Sequence, residues 1–80
     1  MDFVPVNSSN LATVGYDPGM QTLHVHFKNG GHYAYNGVPP EKYAALLAAA
    51  SPGSYLAREI KGRYPFSLIN TDVDVSPLNA

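Results

Sequence analysis

The sequence predicts an α+β domain, a short three-stranded antiparallel sheet in β-meander order followed by two helices packed on one face. Three observations predict it. Leu23, Val25 and Phe27 alternate with His24, His26 and Lys28, the period of a strand buried on one side only. Asn29-Gly30-Gly31 then supplies a hairpin turn into a second alternating run, His32 to Asn36. Beyond Val38-Pro39-Pro40 the apolar spacing changes from two to that of a helix.

Residues 8–16, Ser-Ser-Asn-Leu-Ala-Thr-Val-Gly-Tyr, read as a first, irregular strand. Asp17-Pro18-Gly19 ends it in a turn, with proline presetting φ and Gly19 expected at positive φ. Across the next hairpin, a loop spanning all three turn residues sets Phe27 opposite Tyr33 and Val25 opposite Tyr35 on the core side. His24, His26, Lys28, His32, Ala34 and Asn36 then share the other face. A two-residue loop would put the tyrosines beside the histidines, because a slip of one residue reverses every side chain. The first register gathers the large apolar groups and is preferred.

Proline near the first helical position opens helix one. Tyr43, Leu46, Leu47 and Ala50 recur at i, i+3, i+4 and i+7 and form its sheet-facing stripe. Ser51-Pro52 caps and starts helix two, which runs to about Lys61 with Gly62 as its stop. Its apolar positions are Tyr55 or Leu56, then Ile60, and Tyr64-Pro65-Phe66 packs the end down. One domain is expected over 1–80, with a core at about 6–69 and residues 70–80 as a tail or an edge strand carrying Asp72-Val73-Asp74-Val75.

Eighty residues bury only about 60% of the surface of the unfolded chain, so little core is left over for a deep cleft. The hydrophobic fraction is 45% and the charged fraction 14%, too apolar for a disordered chain. There is no cysteine, which excludes disulfides and cysteine-held metals and favours a cytoplasmic setting. No apolar run approaches the roughly 20 residues that span a bilayer, and the start, Met1-Asp2-Phe3-Val4-Pro5, has no secretory pattern. No membrane partner is expected. With a net charge of −1, a long duplex is a poor partner, whereas a small nucleotide needs only one or two placed cations.

These pieces together resemble the KTSC domain, a small family named from a module at the C-terminus of some lysyl-tRNA synthetases. The resemblance spans about Val6 to Ile69. It rests on Ser8-Ser9-Asn10-Leu11, Gly15-Tyr16-Asp17, Leu23-His24-Val25-His26-Phe27 leading to Gly30, and Tyr33-Ala34-Tyr35. Val38-Pro39, Tyr43-Ala44-Ala45-Leu46-Leu47, Ser51-Pro52-Gly53-Ser54-Tyr55 and Ile60-Lys61-Gly62-Arg63-Tyr64-Pro65 complete it. It implies a short antiparallel sheet followed by two helices, and a setting in bacterial cytoplasm, on host or phage genomes. Attachment to a tRNA synthetase suggests contact with RNA. His24 and His26 stand where the family pattern is usually acidic, which argues against a family-wide metal site there.

The candidate sites divide by chemistry. His24, His26 and His32 could share zinc or nickel, but no acidic residue completes the shell and a solvated polar face is the better reading, so no metal and no cofactor is expected. Ser8 or Ser9 with a strand histidine and Asp17 lacks a nucleophile elbow and an oxyanion loop. Asp72 and Asp74 fall in the tail, so no catalytic residue is assigned. Ser51, Gly53 and Ser54 lie at a helix start, where free N–H groups favour an anion. Arg58, Lys61 and Arg63 with Tyr55 and Tyr64 set cations beside aromatic rings, the chemistry that holds phosphates and stacks bases. Ser9 and Asn10, before the first strand, either make a turn or hydrogen-bond a ribose or base edge. The ligand-binding set is therefore Ser9, Asn10, Tyr16, Ser54, Tyr55, Arg58, Lys61, Arg63 and Tyr64. The expected activity is non-enzymatic binding of a nucleotide-type small ligand, extending to a phage sponge that sequesters a host nucleotide immune signal between subunits of a homo-oligomer. Short RNA and a protein partner are the alternatives.

Overall fold

The computed structural model describes residues 3–69. Five strands form one antiparallel sheet in chain order: β1 (Phe3–Pro5), β2 (Leu11–Asp17), β3 (Thr22–Phe27), β4 (His32–Asn36) and β5 (Phe66–Leu68). The α+β class, the antiparallel sheet and the two helices are as expected, but the sheet has five strands where three were anticipated. Each added strand is three residues long, too short to show a period, and is held by pairing to an inner strand. The region 70–80, expected as a tail or an edge strand, lies outside the described residues.

Helix α1 (Pro40–Ala48) and helix α2 (Pro52–Tyr55) lie between β4 and β5, and α2 continues into a π-helical turn, Leu56–Ile60. Leu46 is fully buried on α1, whereas Leu47 is exposed and Ala50 is an exposed residue beyond the helix. The stripe is thus narrower than its spacing suggested. Leu56 and Ile60 come down beside it, and with Leu11, Val14, Leu23, Val25, Tyr35 and Val38 they make one buried cluster. At about 25 cal/mol per Å² of apolar surface removed from water, this cluster is the main source of stability in so small a chain.

The hairpin register differs from expectation by two residues. Val25 pairs with Tyr33 and Leu23 with Tyr35, so the expected faces are kept while every partner moves along the strand. The cause is a longer loop: the Phe27 N–H donates to the Gly31 carbonyl and the Gly30 N–H to the Phe27 carbonyl, with Gly30 at φ 101°. Lys28 therefore leaves the ladder. Other turns shift in similar ways. Ser8 Oγ accepts from the N–H groups of Asn10 and Leu11, so residues 8–10 are a turn and β2 begins at Leu11. Asp17 Oδ1 accepts from Gly19 and Met20 as the turn chemistry predicts, but the positive φ falls on Gln21.

The two sheet faces differ sharply. One holds the core and helices. On the other, Phe3 stacks on His26 with ring centroids 4.6 Å apart, and His26 meets His32 edge to face at 4.1 Å. His24 Nδ1 and His32 Nε2 are 3.1 Å apart, and Thr13 Oγ1 meets His26 Nδ1 at the same distance. The histidine face is therefore half-buried and internally bonded, not simply solvated. Burial holds the His24 imidazole below its ordinary pKa, with the Asp17 carboxylate opposing and His26 reinforcing.

Candidate functional site

An open groove of about 540 Å³ is lined by Ser9, Asn10, Phe27, Lys28, Asn29, Tyr33 and Lys61. Each residue arrives there by a local cause. The turn closed by Ser8 presents Ser9 and Asn10, and the Asn10 carbonyl accepts from the Lys28 N–H at 2.8 Å, which fixes the two loops side by side. Asn29 Oδ1 accepts from Gly31 at 3.0 Å and braces the hairpin tip. Phe27 and Tyr33 meet edge to face, centroids 5.3 Å apart.

Lys61 comes from the opposite wall. The π-helical turn closes with the Lys61 N–H donating to the Leu56 carbonyl, five residues back, at 2.9 Å. Gly62 then takes φ 79° and turns the chain away, since a side chain in that conformation would be strained. With Ile60 buried just before it, Lys61 has a fixed root and a mobile head. Its Nζ lies over the Phe27 ring, 5.3 Å from the centroid. Such π turns are often found at functional positions.

The groove thus joins two flat aromatic side chains, two ammonium groups and two carboxamides. Among the described residues the ion pairs are Lys42–Glu59 and Arg58–Glu59, so neither groove lysine is neutralised by them. A ligand with one aromatic face and one anionic group matches this set. The rings offer a stacking surface, and the lysines supply charge-assisted donors. The carboxamides can donate and accept at a heterocycle edge.

The expected ligand set divides here. Ser9, Asn10 and Lys61 meet in the groove; the other six are engaged elsewhere. Tyr16 stacks on Tyr43 at 5.1 Å and its hydroxyl donates to the Val38 carbonyl. It therefore ties β2 to the start of α1, and burial, then the charges of Glu41 and Asp17, raise its pKa. Ser54 accepts from Ser51 Oγ at 3.1 Å. Ser51 makes no side-chain cap, and the modest helix start it precedes lies against Ser8 Oγ at Gly53. Tyr55 and Tyr64 are partly buried against the core. Arg58 lies 5.8 Å over the Tyr55 ring and bonds Glu59 at 3.4 Å, while Arg63 Nε donates to the Arg58 carbonyl at 3.3 Å. The expected cation cluster is thus a self-bonded turn from which only Lys61 reaches the groove.

Phe27, Lys28, Asn29 and Tyr33 were missed. The register assumed for the hairpin kept Lys28 on a strand face and counted Phe27 and Tyr33 as core. The available signal was a lysine and an asparagine at the base of a glycine turn, one strand away from Ser9-Asn10. No group of three His, Cys, Asp or Glu among the described residues could hold a metal. No helix among them is long and apolar enough to cross a membrane.

Comparison with known proteins gives a consistent family picture. Residues 7–64 match the KTSC domain family. A protein of Tsukamurella paurometabola is 43% identical over 60 residues, 75% of this chain and 90% of that relative. An uncharacterized protein of Stutzerimonas stutzeri is 42% identical over 64 residues, 80% of this chain and 90% of its own. Among solved structures, the KTSC domain protein YPO2434 from Yersinia pestis superposes with a TM-score of 0.82 at 34% identity, covering 85% of this chain and 96% of that one.

Proposed function

The chain belongs to the KTSC domain family, and we propose that this member is a non-enzymatic binding module for a small nucleotide-type ligand held in the Phe27–Lys61 groove. The observation that carries this reading is the meeting of Phe27, Tyr33, Lys28 and Lys61 with Asn10 and Asn29 in one open concavity. A base would lie on the aromatic surface with its edge toward the carboxamides. The phosphate would sit between the ammonium groups. A site that binds without transforming acts by sequestration or by sensing. A phage-borne sponge for a host nucleotide signal, assembled from several copies, is one form of that action.

Thermal melting with a panel of nucleoside monophosphates and cyclic dinucleotides tests the reading. At a hundredfold excess over Kd, a ligand that binds only the folded state adds about 2.7 kcal/mol. In a domain of this size that raises Tm by roughly 10 °C or more. Native mass spectrometry of the protein as purified gives the mass of any retained ligand and the number of subunits. A panel with no shift, together with a bare subunit mass, would overturn the reading.

Short single-stranded RNA is the second reading, favoured by the exposure of Arg58 and Arg63 on either side of Lys61 in the chain. It differs in its salt dependence. Affinity for RNA should fall steeply between low and physiological salt as several phosphates shed counterions, whereas a mononucleotide should show a shallow slope.

A further inference from the structure

The Lys61 ammonium and the Phe27 ring are in contact in the groove, 5.3 Å from nitrogen to ring centroid. Both belong to the lining. The ring is therefore occupied by a cation before any ligand arrives. A base that stacks on Phe27 must displace that ammonium, and the displaced charge then needs a new partner. Among the described residues both ion pairs end on Glu59, held by Lys42 and Arg58, and neither involves Lys61.

We infer that Lys61 is a charge gate for the groove: it closes the Phe27 face to uncharged aromatic ligands and opens it to phosphorylated ones, whose own anion receives the ammonium. This inference rests on the nucleotide-binding reading and adds to it the basis of selection. A nucleoside displaces the ammonium and gives nothing back. A nucleotide displaces it toward its own phosphate. The geometry suits such a movement, since the backbone of Lys61 is pinned by its bond to the Leu56 carbonyl while four flexible side-chain carbons carry the head. Lys28, on the other wall, contributes a second cation and adds affinity for phosphate without gating.

The test compares the four common nucleoside 5′-monophosphates with their nucleosides, by calorimetry, on the wild type and on Lys61→Met, which keeps an apolar stem of similar length. For the tightest monophosphate, the wild type should prefer it over its nucleoside by tenfold or more. In Lys61→Met the monophosphate should weaken about tenfold, as loss of one charge-assisted contact implies, while the nucleoside holds or tightens. Lys61→Arg should restore most of the preference. In wild-type NMR spectra the Lys61 side-chain methylene signals, shifted upfield by the Phe27 ring, should move downfield when the monophosphate is added.

An equal loss for both ligands in Lys61→Met would make Lys61 an ordinary contact and overturn the gate while leaving the binding site standing. Wild-type protein that binds neither monophosphate nor nucleoside would overturn the site and the gate together. Unchanged melting of Lys61→Met separates either result from misfolding.

Discussion

Two pairs of basic residues, one of them sharing a turn of chain with Lys61 of the other, are given opposite circumstances by the fold. Arg58 and Arg63 are exposed but self-satisfied: one is bound to Glu59 and laid over Tyr55, the other is tied to the Arg58 carbonyl. Lys28 and Lys61 line a concavity and have no carboxylate partner among the described ion pairs. A cation beside an aromatic ring is therefore not enough to mark a site. What separates the groups is whether the charge is held by a carboxylate or carbonyl of its own turn and whether a cavity gives a ligand room beside it.

The most disruptive way to probe this contrast is through the shared support. Ile60 is fully buried at the end of the π-helical turn that sets Lys61. Ile60→Ala should cost about 2–5 kcal/mol in denaturant unfolding. Arg63→Ala, at an exposed position three residues further on, should change stability by less than about 0.5 kcal/mol. Equal effects would mean that the two basic groups do not differ in their anchoring.

The contrast itself is tested by paired substitutions. Lys28→Ala with Lys61→Ala should weaken the tightest nucleotide by about 100-fold or more, since each charge-assisted bond contributes about 1.5–3 kcal/mol. Arg58→Ala with Arg63→Ala should weaken it by about twofold or less, read by the same calorimetry. The reverse ranking would return the site to the arginine turn.

A smaller effect sharpens the account of why the arginine turn is silent. Glu59 is held below its ordinary carboxylate pKa, first by its hydrogen bond to Lys42 and then by the Lys42 charge. Because the folded value is the lower one, this contact stabilises the protein above the ordinary carboxylate value of 4.5, and that stabilisation is lost as pH falls through the folded value. Lys42, whose pKa is raised by the same hydrogen bond, loses its share only as pH rises through its own folded value. Glu59→Gln should flatten the acid-side slope of Tm and release Arg58, raising affinity for short RNA at low salt by a few-fold.

The smallest effect belongs to the far sheet face and serves as a control. His24 is held below its ordinary value of 6.5, so the unfolded chain takes up that proton more readily than the folded one. Stability should fall as pH drops through about 6.5 toward the folded value. His24→Asn should reduce that slope and leave nucleotide binding in the groove unaltered, measured at pH 7.

The central hairpin, its faces and the two helices were legible because each announces itself within a dozen residues. Leu23, Val25 and Phe27 alternate, Tyr43 and Leu46 stand three apart on one helix, and Leu56 and Ile60 stand four apart on the next segment. The outer strands were not legible. Phe3-Val4-Pro5 and Phe66-Ser67-Leu68 are too short to carry a period, and their pairing is decided by inner strands, across some thirty residues in the case of β4 and β5. The groove fell between these cases. Ser9, Asn10 and Lys61 could be found as polar or basic residues near turns. Phe27, Lys28, Asn29 and Tyr33 depended on the length of one loop, which hydrogen bonds at Gly30 and Gly31 settle and composition does not.

Strand order has a last consequence, for the order of assembly. The first four strands pair with their chain neighbours, so each contact closes a loop of only a few residues and can form early. The pairing of Tyr33 with Leu68 and of Tyr35 with Phe66 must wait until both helices have folded back across the sheet. Lys61 reaches the groove on that same returning segment. The meander can form first with Phe27 and Tyr33 uncovered, and the binding wall is among the last parts to arrive, so a folding intermediate of this chain would hold a sheet before it held a site.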